Sequence, residues 1–294
     1  MTTPEPPNLE HQTINVNSLN FNVITAGPVQ GPPVILLHGF PEFWYGWRNQ
    51  IGPLARAGYR VIVPDQRGYN LSDKPQGLSH YTRDELASDV VGLMDHLGVP
   101  RATLIAHDWG GAVAWWTALK HPERVERLVA LNIPHPLAMA RALRRPAQLS
   151  KSWYMGFFQL PWIPEAALSR KGFAPLLDLM KRSCKPGVFT GEDRALYREA
   201  YSQPGAIKAM LSWYRAVAQR RLDPPTSSRI QAPTLLIWGK QDRALGWEMA
   251  QPSVDFCQDG RLEFIEDAGH FVALDAPERV NALILDYLSW CKRP

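Results

Sequence analysis

Residues 104–111 read Leu104, Ile105, Ala106, His107, Asp108, Trp109, Gly110, Gly111: an apolar run, then an acidic residue framed by small ones. A reactive side chain at a sharp strand-to-helix turn needs this pattern. The turn strains the apex backbone and crowds its neighbours, so Ala106, Gly110 and Gly111 have to be small. The apex residue sets the chemistry. Serine there would acylate on a carbonyl, whereas an aspartate carboxylate attacks a saturated carbon, displaces a leaving group and leaves an alkyl ester on the protein. Asp108 therefore points to hydrolysis of an epoxide or a carbon–halogen bond. Two further residues could complete it. Asp242 follows an apolar run at residues 234–238, and His270 follows another at residues 262–265. A histidine can activate water against the ester, and an acid can fix its tautomer and stabilise its cation. Asp267, close to His270 in sequence, reads as a turn former. His38 and His107 read as scaffold residues.

The elements needed to position these groups are legible as alternating periods. Residues 14–18 and 21–26 form an antiparallel opening pair. Short apolar runs follow at 34–37, 59–64, 102–106, 128–131, 234–238 and 262–265, with helical patterns between them. Continuous apolar strands alternating with helices imply a mostly parallel sheet covered on both faces. Residues 83–97 show helical spacing through Leu86, Val90, Leu93, Met94 and Leu97, and residues 277–290 are patterned similarly. The rhythm breaks from about 134 to 228. That stretch is rich in arginine, aromatics and proline, has helical patterns at 194–201 and 206–219, and is bracketed by Pro134, Pro136 and by Pro224, Pro225. It predicts a helical lid (134–228) inserted into a core made of 1–133 and 229–294.

Composition bounds the function. With 294 residues, 45% hydrophobic and 20% charged, the chain suits one large globular domain with an insertion. The net charge of +4 comes from scattered lysines and arginines, so no nucleic-acid partner is expected. Cys184, Cys257 and Cys291 are odd in number and far apart, which suggests a reducing, cytoplasmic setting and no metal site. The polar, proline-rich start is unlike a secretion leader, and no apolar run is long enough to span a membrane. No cofactor is expected. A homodimer is compatible with these features.

The motifs together resemble the α/β-hydrolase-fold epoxide hydrolases. The resemblance rests on His38, Gly39, Phe40, Pro41 with Trp44, Tyr45, Gly46, Trp47, Arg48; on Asp65, Gln66, Arg67, Gly68, Tyr69; on the turn at Asp108; and on Gly269, His270, Phe271. It spans about residues 34–285. It implies an eight-stranded, mostly parallel sheet with an inserted cap, and the chain order nucleophile, acid, histidine for Asp108, Asp242 and His270. It further implies an oxyanion site at the amides of Phe40 and Trp109. Some relatives carry the orienting acid after the strand that ends here at Asn132; asparagine has no charge to supply, which favours Asp242. The family's two lid tyrosines match Tyr154, five residues before Gln159 in a Phe-Gln-x-Pro segment, and Tyr214 in Trp213, Tyr214, Arg215. A phenol can donate to an opening epoxide oxygen and protonate it. The implied substrate is a small apolar epoxide in a pocket that includes Phe40, Trp109, Phe158, Trp162 and Phe271.

Two positions depart from the family pattern. Ala106 stands where glycine is usual, and Trp162 follows Pro161 where many members have glycine; Trp162 is expected to narrow the pocket. Two other readings share most of these residues. A haloalkane or haloacid dehalogenase would use the same Asp-His-Asp set, but haloalkane dehalogenases usually carry asparagine where this chain has Phe40 and have no need of the tyrosine pair. A non-catalytic ligand-binding homologue would be marked by loss of a triad residue, and none is lost.

Overall fold

The computed structural model describes residues 8–218 and 227–290. The elements run β1 (Glu10–Val16), β2 (Leu19–Ala26), β3 (Pro33–Leu37), α1 (Arg48–Arg56), β4 (Arg60–Pro64), α2 (Arg83–His96), β5 (Ala102–His107), α3 (Asp108–Lys120) and β6 (Val125–Leu131). Helices α4 (Pro136–Ala142), α5 (Pro146–Lys151), α6 (Trp153–Phe157), α7 (Ile163–Ser183), α8 (Gly191–Ser202) and α9 (Ala206–Ala218) follow. The chain closes with β7 (Thr234–Gly239), α10 (Ala250–Val254), β8 (Gly260–Ile265), α11 (Val272–Asp275) and α12 (Pro277–Trp290). The strands form one eight-stranded sheet in the order β1-β2-β4-β3-β5-β6-β7-β8, in which β2 alone runs against the rest.

Alternate residues of the central strands feed two hydrophobic layers. Val34, Leu36, Ile105 and Val129 pack with Ile51 and Leu54 of α1 and Ile284 and Leu288 of α12. Ile35, Leu37, Leu104 and Leu128 pack with Leu86, Val90 and Leu93 of α2 and Val113 of α3. A parallel strand buried on both faces is apolar along most of its length, which is why Leu104, Ile105 and Ala106 of β5 read as a continuous run. Thr82 caps α2 by accepting from the Glu85 amide.

The first strand ends earlier than its apolar pattern suggests. Asn17 and Ser18 take φ of 52° and 63° between the paired residues Val16 and Leu19, so they form a two-residue hairpin turn instead of extending β1. In the long insertion, α7 is broken at residues 170–173, where Lys171, Gly172 and Phe173 have positive φ. The expected helix at 206–219 is α9, and its last expected residue lies outside the described residues, as do Pro224, Pro225 and Cys291. Among the described residues no helix is long and apolar enough to cross a membrane.

Candidate active site

Asp108 stands where β5 passes into α3, with φ of 48°. A non-glycine residue holds such a conformation only where its surroundings enforce it. Here the crowding is visible: a Cβ on Gly110 would overlap the Leu37 and His38 carbonyls, and one on Gly111 would overlap Ile133. Ala106 is fully buried and is accommodated. The turn aims the Asp108 carboxylate into the space above the strand ends. The Phe40 amide, from the loop after β3, donates to Asp108 Oδ1 at 2.8 Å. The Trp109 amide lies in the first turn of α3, where helix geometry leaves N–H groups without an intrahelical acceptor.

His270 lies in the loop between β8 and α11. Its Nδ1 donates to Asp242 Oδ2 at 2.8 Å, and its Nε2 lies 3.5 Å from Asp108 Oδ2. The three residues named from spacing thus meet, although 28 residues separate the last two and 134 the first two. Asp242 is itself held: its Oδ1 accepts from the Ala244 and Leu245 amides at 2.8 and 2.9 Å, and its Oδ2 accepts from Asn132 Nδ2 at 2.8 Å. Asn132 also accepts from the Gly239 amide at 2.8 Å, so it ties the end of β6 to the end of β7. From residue type alone Asn132 is only a missing acid; its part in seating Asp242 depends on two strand ends being neighbours.

The electrostatics follow from these contacts. Burial opposes a charge on His270, but Asp242 and Asp108 on its two sides outweigh burial and raise its pKa well above the usual histidine value. Burial likewise opposes the charge on Asp108 and Asp242, and His270 lowers both below the ordinary aspartate value. Asp108 and Asp242 on either side of its ring thus favour the protonated form of His270.

His38 and His107 lie beneath this layer. His38 Nε2 accepts from the Gln66 amide at 3.0 Å while Nδ1 faces the Gly39 carbonyl at 3.0 Å; burial lowers its pKa to about 4. His107 donates from Nε2 to the His270 carbonyl at 2.8 Å and meets Glu42 Oε2 at 2.7 Å through Nδ1. Glu42 was not singled out from sequence. The available signal was an isolated acid in the aromatic loop Phe40, Pro41, Glu42, Phe43, Trp44. Asp267 is exposed and bound by Lys185 at 2.7 Å, away from His270 Nδ1.

Tyr154 of α6 and Tyr214 of α9 face the carboxylate. Their ring centroids lie 6.0 Å apart, and Tyr214 packs edge-on against Phe40, Phe158 and Trp109 at 5.3, 4.9 and 4.9 Å. Burial, and next the nearby Asp108 charge, push both phenols above the ordinary tyrosine range. The motif neighbours of the tyrosines join the two helices. Gln159 donates to the Tyr214 carbonyl at 3.2 Å, and Arg215 donates to the Phe158 and Leu160 carbonyls at 2.8 and 2.7 Å while pairing with Glu165 at 2.6 Å. Asp108, Tyr154 and Tyr214 form a shared wall between two cavities. The wider, of about 500 Å³, is lined by Phe40, Phe158, His270 and Phe271. The smaller, of about 180 Å³, is lined by Trp109, Ile133, Met139, Met155 and Val217.

Trp162 corrects one expectation. It lies in neither cavity wall and is 81% exposed. Its backbone adopts the left-handed conformation, φ 57°, just ahead of α7. At that turn the indole points outward, whereas Tyr154 of α6 and Phe158 just after it line the wide cavity. Among the described residues, no group of histidine, cysteine and acidic side chains has metal-holding geometry.

Comparison with known proteins adds the family. The model of the alpha/beta hydrolase fold matches residues 32–277. A crystal structure of a Bacillus megaterium epoxide hydrolase in complex with an inhibitor superposes with a TM-score of 0.88 at 33% identity, covering 95% of this chain and all of that one. Human epoxide hydrolase 4 is 38% identical, over 94% of this chain and 77% of its own. This chain belongs to the epoxide hydrolase family of the α/β-hydrolase fold. The AB hydrolase superfamily protein YfhM of Bacillus subtilis is 47% identical, over 94% of this chain and 97% of its own. Family membership makes the chain a hydrolase acting on epoxides and agrees with the eight-stranded, mostly parallel sheet.

Proposed function

We propose that this chain hydrolyses epoxides to vicinal diols through an alkyl ester on Asp108. The observation that carries the reading is that a carboxylate on a strained turn and two phenols share one cavity wall. Tyr154 and Tyr214 donate to the epoxide oxygen. Asp108 Oδ2, with Oδ1 held by the Phe40 amide, attacks a ring carbon; the carbon–oxygen bond breaks and the alkoxide takes a proton from a phenol. Raised phenol pKa values keep both tyrosines protonated until the alkoxide, a stronger base, forms beside them. Esterification cancels the Asp108 charge, so His270 loses one of the two anions that favour its protonated form. Its proton passes to the phenolate, which restores the phenol, and the neutral imidazole can then take a proton from water. The resulting hydroxide attacks the ester carbonyl, the amides of Phe40 and Trp109 hold the oxyanion, and the diol leaves with the proton from His270. Asp242 orients the ring throughout.

The segment 134–228 acts as the lid that carries both phenols. The two cavities flanking the shared wall support an epoxide with one larger and one smaller apolar substituent. The free, buried thiols Cys184 and Cys257 suit a cytoplasmic setting. The reading is tested by mixing the His270→Gln variant with styrene oxide and measuring intact mass. One added substrate mass on the peptide containing Asp108 is expected. A single turnover of the unsubstituted enzyme in ¹⁸O-water should label Asp108 and leave the diol unlabelled; label going directly into the diol would exclude the ester.

A further inference from the structure

Ten large apolar side chains are exposed among the described residues, and five of them, Leu149, Trp153, Leu160, Trp162 and Ile163, fall within residues 149–163. Charge is as uneven as exposure. Residues 134–218 hold thirteen lysines and arginines against five acids, a net of +8; subtracting these from the chain totals of 32 and 28 leaves nineteen against twenty-three, a net of −4, for the rest. The two patterns meet at the wide cavity. Lys151, Trp153, Arg182 and Arg243 all line it, and Trp153 is 69% exposed. A fourth cation there, Lys185, is neutralised by Asp267. Among the described residues, Lys151, Arg182 and Arg243 have no acidic side chain within ion-pair distance.

Exposed indoles and aliphatic side chains beside unpaired cations are what an anionic lipid–water interface accommodates: rings settle at headgroup depth while cations meet phosphates. A nucleic acid would use the cations and leave the leucine and isoleucine side chains unburied. We propose that the 149–163 segment and the cationic rim dock on the surface of an anionic phospholipid bilayer, so that the wide cavity opens onto lipid. Given the epoxide reading above, its substrate is then an apolar epoxide dissolved in the membrane, which enters without crossing water.

The test is co-sedimentation of the whole protein with vesicles of phosphatidylcholine and phosphatidylglycerol, against phosphatidylcholine alone, without substrate. Binding is expected to the anionic vesicles and to weaken as salt is raised. Each cation removed should weaken it about fivefold, so Lys151→Gln, Arg182→Gln and Arg243→Gln together should cost about a hundredfold. Leu149→Ser with Trp162→Ser, both outside the cavity, should cost about tenfold while diol formation from a water-soluble epoxide in vesicle-free buffer is retained. Absence of binding, equal binding to neutral vesicles, or unchanged binding by the Leu149→Ser, Trp162→Ser variant overturns the proposal; the last leaves an attraction any polyanion would share. It is also overturned if the protein sediments as a dimer without lipid and that variant makes it monomeric, because the face is then an interface between copies. Vesicle binding without diol formation from any epoxide would instead remove the epoxide reading and leave the docking surface standing.

Discussion

The core wall and the lid wall of the cavity hold their reactive groups by different means. On the core side Asp108, His270 and Asp242 are ionisable, sit at strand ends and are each fixed by hydrogen bonds near 2.8 Å. On the lid side Tyr154 and Tyr214 are neutral, sit on helices and are fixed by edge-on ring packing, with Gln159 and Arg215 clamping the backbones that carry them. The physical reason lies in what each wall has to do. Three charges placed together away from water need fixed dipoles and counter-charges, which strand ends and helix N-termini supply. A phenol needs only its oxygen directed, and apolar packing does that without adding charge. The core wall should therefore respond to changes of charge, and the lid wall to loss of single atoms or of clamping contacts.

The largest effect should come from Asp108→Asn. It keeps the shape and removes the proposed nucleophile, and a fall in turnover of at least about 10⁴ is expected, with no covalent adduct by mass spectrometry. Next is the lid. Tyr154→Phe or Tyr214→Phe alone should slow ester formation by about 10²–10³, and the double change should nearly abolish it, while thermal stability is retained because ring volume is kept. A double variant that opens epoxides at the original rate would break the comparison, since the lid would then only pack; halide release from 1-haloalkanes would turn the reading toward a dehalogenase.

The third prediction separates the walls by pH. Asp108 is held below the ordinary aspartate value, so single-turnover ester formation should persist into mildly acidic buffer. Ester hydrolysis needs neutral His270, so its rate should fall as pH drops and ester should accumulate. Asn132→Ala removes one donor from Asp242. It should slow hydrolysis by about tenfold and leave ester formation within about twofold of the original rate, which rapid-quench measurement of the two phases would resolve.

The smallest effect concerns stability. His38 is buried and neutral, with a folded-state pKa lowered to about 4 from an ordinary 6.5. Its contribution is fully present above the unfolded value and is lost as pH falls toward 4, because the unfolded chain takes up a proton that the folded one refuses. Thermal melting should decline across that window. His38→Ala should be less stable at neutral pH by about 2 kcal/mol and should show a shallower decline.

Some of this was legible in the residues and some was not. The turn at Asp108 could be read because small residues at Gly110 and Gly111 answer a local steric demand. The parallel sheet could be read because strands buried on both faces leave continuous apolar runs. Trp162 was misread for a local reason: residue type and neighbouring motif suggested a pocket wall, but one left-handed backbone angle reversed its direction. Glu42, Asn132, Gln159 and Arg215 went unassigned because the partner of each is distant in sequence, as with Asn132 and Asp242, which are 110 residues apart.

The amino-acid sequence by itself determined the order of strands and helices, the chemical identity of the apex residue and the presence of a long helical insertion, because these depend on periodicity and on steric limits within a few residues. Only the tertiary structure decided that β6 and β7 lie side by side so that Asn132 can seat Asp242, that two carboxylates flank His270, and that two cavities meet at the tyrosines. Those features are distances between groups far apart in the chain, and distances of that kind are set by packing of the whole sheet and its lid.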